Sequence, residues 1–289
     1  MTRAHTIKLT SYRAAKKAIG ALGFDLVHQH YYSPIPGHLS DKVWKEQSPL
    51  HGVRWNLDSC LEWLGQIRPF MPEFSPPIRL SDRYEFQYAN GSFGNGDADV
   101  LYGLIRAVKP KRVLELGSGH TSVIIHLAIE RNAADGSPCE HRIFDPYPTD
   151  HLGILDISPT PTEILPEEEI TNLSADDILF VDTTHAVRIG GDVLRVVLDL
   201  LPITNPGVLI HLHDIFLPYQ YPRAFFEEHE YYWAEQYLLQ AFLAFNNKFE
   251  TVAPLHALFR DRNRAFSALV PSVSDGGYPG SFWCRRLDF

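Results

Sequence analysis

Apolar residues recur along this chain with two different periods. From about residue 91 onward, short apolar runs alternate with stretches whose apolar residues repeat every three or four positions. Short runs bounded by turn signals are the pattern of buried strands, and the longer period is that of helices. KRVLEL (111–116), HRIFD (141–145), DDILFVD (176–182) and PGVLIHLHD (206–214) predict strands, and FETVAPL (249–255) and SFWCRRL (281–287) predict two last ones. Between them lie helical patterns. GNGDADVLYGLIRAV offers Asp97 as N-cap of a helix to about Val108, with Pro110 beyond its end. GSGHTSVIIHLAIERN turns through glycines into a second helix, GGDVLRVVLDLLP is a third that stops at Pro202, and YYWAEQYLLQAFLAF (231–245) is a fourth. The last places Trp233, Tyr237, Leu238, Phe242 and Phe245 near one face. Strands alternating with helices predict βαβ units, an α/β class and a mostly parallel sheet. Such sheets bind ligands beyond the carboxyl ends of their strands.

Residues 1–90 break this rhythm. They are rich in aromatics, Pro and His, as in HQHYYSPIP (28–36) and MPEFSPPI (71–78). Helices are predicted over Ser11–Leu26 and Asn56–Ile67, where Leu57, Leu61 and Leu64 share a face. The expected division is a helical cap over 1–90 and a ligand-binding domain over 91–289. His28, His30, Tyr31 and Tyr32 are candidates for a lid, since group transfer profits from excluded water; an aromatic cap packed on the sheet is the plainer alternative.

Composition narrows the field. The chain has 289 residues and a net charge of −9, with no basic stripe, which argues against a nucleic-acid partner. Arg260, Arg262 and Arg264 alternate with Asp261 and Asn263, the pattern of a solvated face. Cys60, Cys139 and Cys284 are far apart, so neither a zinc knuckle nor a disulfide framework is indicated, and a reducing, cytoplasmic setting is expected. No apolar run reaches membrane-spanning length, and no apolar segment follows the basic N-terminus, so neither membrane insertion nor a signal peptide is expected. The oligomeric state stays open, a homodimer included.

The strongest chemical signal is VLELGSGHTS (113–122). A buried strand runs into Gly117-Ser118-Gly119 and then a helix, an arrangement that lets backbone N–H groups face a ligand. The dinucleotide fingerprint G-x-G-x-x-G/A is incomplete here, because Ser122 stands at its last position. Downstream, Asp145 and Asp182 each close a predicted strand, where a carboxylate can meet ribose hydroxyls or a cationic centre.

With FDPYP (144–148), ILFVDTTH (178–185) and HLHDIFLP (211–218), this loop resembles the class I methyltransferases that use S-adenosylmethionine (SAM). The likeness is to the small-molecule group labelled methyltransferase family 24. It covers about residues 91–250. Glu115-Leu-Gly117-Ser-Gly119 matches that family's E/D-x-G-x-G, with Thr121 where a further glycine is usual. The resemblance implies a Rossmann-like, seven-stranded sheet with its last strand antiparallel. It also implies a SAM site formed by Glu115, Gly117, Ser118, Gly119, Asp145, Asp182 and Thr183. Glu115 and the glycines would shape the methionine end, Asp145 would hold the ribose, and Asp182 would sit near the sulfonium.

The resemblance also sets the two predicted strands that end at Asp182 and Asp214 side by side, so Asp182, His185, His211, His213 and Asp214 are expected to converge. If the second strand stays regular, His211 and His213 point one way and Asp214 the other. Two chemistries fit. A histidine, His185 or His213, assisted by Asp214, can act as general base on a small-molecule acceptor. Alternatively Asp182 and Asp214, with His213, can bind a divalent cation, as in catechol-type O-methyltransferases. Ile215 then stands in the place of a third ligand, which favours the base. Histidines satisfied by backbone groups are the plain structural alternative. A nicotinamide-dependent oxidoreductase and a non-enzymatic binding module remain the competing functional classes.

Overall fold

The predicted strands form, and most end where the sequence breaks its apolar runs. Two short strands, β1 (Ile78–Ser81) and β2 (Tyr84–Phe86), make a separate antiparallel pair. The main sheet holds β3 (Arg112–Leu116), β4 (Glu140–Phe144), β5 (Ile157–Ser158), β6 (Ile178–Val181), β7 (Leu209–Leu212), β8 (Phe249–Pro254) and β9 (Phe282–Arg286). Its order is β5-β4-β3-β6-β7-β9-β8. All neighbours are parallel except β9, which runs antiparallel between β7 and β8. This is the expected seven-stranded, Rossmann-like class I architecture with the last strand reversed. The computed structural model describes residues 3–27, 30–33, 35–37, 39–81, 84–149, 152–153 and 155–288.

β6 and β7 are buried at every position, as strands covered on both faces must be. One face of the sheet packs on a core that includes Leu101, Leu104, Ile124 and Trp283. The other packs on Leu179, Val196, Leu200 and Ile210. The order reverses at β3, which has β4 on one side and β6 on the other. Ligands lie at such switch points, outside the carboxyl ends of the strands.

The chain divides at residues 43/44, not near 90. Residues 44–90 belong to the same compact unit as the sheet, because Leu57, Cys60, Leu64, Met71, Phe74 and Phe86 are part of its core. Their Pro-rich, aromatic character marks irregular connection rather than a separate body. In the first unit a helix runs Arg3–Gly20 instead of 11–26. Gly20 and Gly23 interrupt it, Gly23 at φ +82°, and Leu26 leaves the helix to accept a hydrogen bond from the Tyr12 hydroxyl at 3.1 Å. Tyr31 and Tyr32 are exposed there, edge to face at 5.0 Å; His28 lies outside the described residues.

Among the α-helices of the described residues with a described N-cap, one starts on a side-chain cap and the rest do not. Asn56 caps the helix Leu57–Ile67, its side chain accepting from the backbone of Asp58 and Ser59. At the next helix, Asp97–Val108, Asp97 is not the cap. Gly96 takes that place at φ +89°, and Asp99 accepts from the Gly96 N–H at 3.2 Å. The Asp97 carboxylate turns instead to the backbone N–H groups of Gly280 and Ser281, at 3.0 and 2.9 Å.

Candidate active site

The glycine loop is fixed by backbone geometry. Gly117 sits at φ +88°, and its N–H donates to the Phe144 carbonyl at 2.9 Å. A Cβ on Gly117 would stand 1.9 Å from the Asp182 carbonyl oxygen, so no larger residue fits between the ends of β4 and β6. Gly119 begins the helix His120–Ala134 in an extended conformation with open space around it. Its N–H donates to Ser122 Oγ at 3.1 Å, and that hydroxyl donates to Glu115 at 2.9 Å. Glu115 is fully buried and also takes the Thr121 hydroxyl at 2.7 Å and meets His141 Nε2 at 2.8 Å. It therefore braces the loop from below.

Above the loop opens a cavity of about 610 Å³. Of the residues expected at a cofactor, Gly117, Ser118, Asp145, Asp182 and Thr183 line it, while Glu115 and Gly119 do not. Asp145 does more than face the cavity. One of its oxygens accepts from the Ser118 N–H and hydroxyl at 2.9 and 2.6 Å, and the other from the Tyr147 N–H at 2.7 Å. It ties the loop to the turn after β4 and keeps one acceptor site, on the oxygen that meets Tyr147, for a ligand. Exposed Tyr147 and Ile164 stand at the rim. On the far side, Asp192 fixes the segment after β6 by accepting the Thr184 N–H and hydroxyl at 2.8 and 2.7 Å.

Asp182 joins this cavity to a buried charged cluster. His185 Nε2 stands 3.3 Å from Asp182 and 3.7 Å from Asp214, and its Nδ1 meets Glu235 at 2.8 Å. His213 Nδ1 lies 3.7 Å from Asp182 and 3.6 Å from Asp214, and its Nε2 lies 3.9 Å from Asp97. Asp182, His185, His213 and Asp214 thus converge as expected. His211 and His213 do share a side, with rings 6.0 Å apart. Asp214 does not point away from them, because β7 ends at Leu212 and Asp214 turns back in the left-handed region at φ +53°. His185 is also left-handed, at φ +57°. Two non-glycine residues held there, at about 1–3 kcal/mol each, mark a site where geometry outweighs local comfort.

His211 belongs to the core. It stacks on Phe180 at 3.9 Å, pairs with Ser281 Oγ at 2.9 Å, and burial, then the His213 charge, pushes its imidazole well below the ordinary value. The other two behave oppositely. Burial alone would lower His213, but the Asp214 and Asp182 charges lift it to about 9. Burial would likewise lower His185, and its hydrogen bonds to Asp182 and Glu235 hold it well above 6.5. Burial would raise Asp182, yet the His213 charge and the His185 hydrogen bond keep it below the usual carboxylate range. The surrounding carboxylates thus favour the charged form of both histidines, and a base must first lose that proton.

Glu235 and Asp97 were not legible as site residues. Glu235 sits in a helical pattern whose apolar face pointed elsewhere. The helix is shorter, Glu235–Leu243, and buries Glu235, Gln236, Leu239 and Leu243. Trp233 lies before it and packs on the His185 ring at 4.4 Å.

No family model matches the chain. It is 28% identical over 137 residues to an uncharacterized protein of Archaeoglobus fulgidus, a match taking in 44% of this chain. The chain thus spans about 61% of that relative's length. Among solved structures, a chain described as cmcI-N160 SAH aligns with 81% of this chain and 93% of its own, at 15% identity and a TM-score of 0.38. A likeness so distant says nothing about the site.

Proposed function

We propose that this protein is a SAM-dependent methyltransferase acting on an oxygen or nitrogen of a small molecule. The observation that carries this is one continuous arrangement at the switch point: the Gly117 loop, Asp145 and Asp182 around a cavity of about 610 Å³, with Asp182 shared by the buried histidine cluster. The cavity is of the size that takes small ligands and cofactors. Asp145 receives a ribose hydroxyl and Asp182 faces the sulfonium. The acceptor atom lies in line with the methyl, so proximity and alignment supply much of the rate. The Nε2 of His185 or the Nδ1 of His213 takes the acceptor's proton, because these are the nitrogens that face Asp182. An oxidoreductase reading is weaker, since Ser122 is committed to Glu115 and Gly119 rather than left as a close-packed glycine. A cytoplasmic setting and a small-molecule partner belong to the same proposal; no helix among the described residues is long and apolar enough to cross a membrane.

Asp145→Ala tests the cofactor arm. It removes a charged acceptor from the ribose and should weaken SAM binding by about 1–3 kcal/mol. The check is calorimetry on the folded variant; unchanged affinity would remove Asp145 from the cofactor site.

The base arm makes a statement about pH. Carboxylates favour the charged imidazole, so the neutral, working form appears only above the ordinary value of 6.5, toward about 9 for His213. Turnover should therefore rise with pH through an ionisation above about 6.5. SAM brings a positive charge to Asp182 and draws that ionisation down. Since kcat/KM reports the free protein and kcat the complex, the rise in kcat should fall at lower pH than the rise in kcat/KM. A flat profile from pH 6 to 9 would contradict the base.

One observation keeps a cation in view. Two imidazole nitrogens and two carboxylates face one another at 3.3 to 3.7 Å, a donor set that suits a divalent ion. Asp182, His185, His213 and Asp214 would hold it, and it would acidify and orient an acceptor hydroxyl. Among the described residues, however, no three such side chains stand arranged to hold a metal ion, so the donors would have to draw together. EDTA decides between the two. Activity that survives it supports the base; activity abolished by it and restored by Mg²⁺ or Mn²⁺ supports the cation.

A further inference from the structure

We propose that Glu235 is a positioning residue that fixes the tautomer and ring orientation of His185, so that Nε2 is the nitrogen presented to Asp182 and the cavity. The proposal rests on the methyl-transfer reading for what the ring is used for, but its geometry stands apart from that reading.

The contact is double. The Glu235 carboxylate meets His185 Nδ1 at 2.8 Å. The backbone N–H groups of Ala234 and Glu235 both donate to the His185 carbonyl, at 3.1 and 3.2 Å. The start of the helix Glu235–Leu243 therefore grips one residue through main chain and side chain together. That residue is held left-handed at φ +57° and would relax without such a grip. Trp233 closes on the ring from the side at 4.4 Å.

The carboxylate is also poorly served by anything but His185. Glu235 is 1% exposed, and its Oε1 is buried with no hydrogen-bond partner. A buried acid kept only to brace the fold is expected to have both oxygens satisfied. Here one oxygen is spent on the imidazole alone. Which ring nitrogen of a histidine carries the proton is set by the hydrogen bond the other makes. With Nδ1–H donated to Glu235, Nε2 is left for chemistry on the side of Asp182 and Asp214.

The test compares Glu235→Gln with Glu235→Leu. Glutamine keeps an oxygen that can accept from Nδ1–H, whereas leucine keeps the bulk and removes the acceptor. Nitrogen-15 NMR of the imidazole, followed up the pH range until the His185 ring is neutral, reads the tautomer without any substrate. In the parent and in Glu235→Gln, the His185 Nδ1–H signal should be present and protected from exchange; in Glu235→Leu it should be lost. In turnover, Glu235→Leu should lower kcat by roughly 10–100-fold, the range found for the outer partners of metal-bound histidines, with SAM affinity near the parent's, and Glu235→Gln should recover most of that loss. An unchanged Nδ1–H signal in folded Glu235→Leu would overturn the proposal, as would a Gln variant that has the parent's fold but has lost the signal. If the parent failed to bind SAM, the methyl-transfer reading would fall while the NMR arm still decided the role of Glu235.

Discussion

His213→Ala and His185→Ala should each lower methyl transfer by about 10²–10⁴-fold, the range a positioned general base supplies. SAM affinity should hold or tighten, because the ring nitrogens act on the acceptor and their positive charge beside Asp182 opposes that of the sulfonium. Each substitution also leaves buried acids without their partner: His213 serves Asp182 and Asp214, and His185 serves Glu235 as well. Those acids then carry uncompensated charge, so the variants should be less stable at high pH, where the acids must stay ionised, than at low pH. Thermal melts across pH 5 to 9, read beside single-turnover transfer rates, separate the two effects. Full transfer activity in both variants would return the histidines to a purely structural role.

Gly117→Ala should be the most damaging single change in the cofactor loop. The new Cβ meets backbone at 1.9 Å, and the φ of +88° is unfavourable for any side chain. Strain and overpacking together amount to about 2–6 kcal/mol, which lowers Tm by roughly 3–10 °C in a chain of this size. SAM binding should be lost with it, since the loop must move away from Asp182. Gly119→Ala is the control: nothing lies within 4 Å of its Cβ and its backbone is extended. That variant should melt like the parent and weaken SAM only if the ligand comes close to this turn. Equal melts and equal SAM affinity in Gly117→Ala and the parent would contradict the structure at the loop.

Much of this was legible in the sequence because the sheet is buried on both faces. Strands such as ILFV and LIHL must then be continuous apolar runs, and the acids that end them mark the sheet edge. The places of Asp145 and Asp182 follow from those runs, whereas the glycine loop is read from its own spacing and the roles toward SAM from the family resemblance. Features set by tertiary contact were hidden. β5 is two residues long and exists only through its pairing with β4. Asp97 read as a helix cap because its pull toward Gly280 and Ser281 spans more than 180 residues of chain. Glu235 is not singled out by the sequence, because Trp233, Tyr237, Leu238, Phe242 and Phe245 suggest a different buried face. Tyr237 and Phe245 are in fact exposed, while Glu235 and Gln236 are buried. The turn of Asp214 back toward His213 could not be read from alternation, because the alternation ends with the strand.

The most direct test of the methyltransferase proposal is parallel calorimetry of the intact protein with SAM and with NAD. SAM should bind at a single site, NAD should give no comparable heat, and Asp145→Ala should weaken the SAM signal. Tighter binding of NAD than of SAM would contradict the proposal at its root.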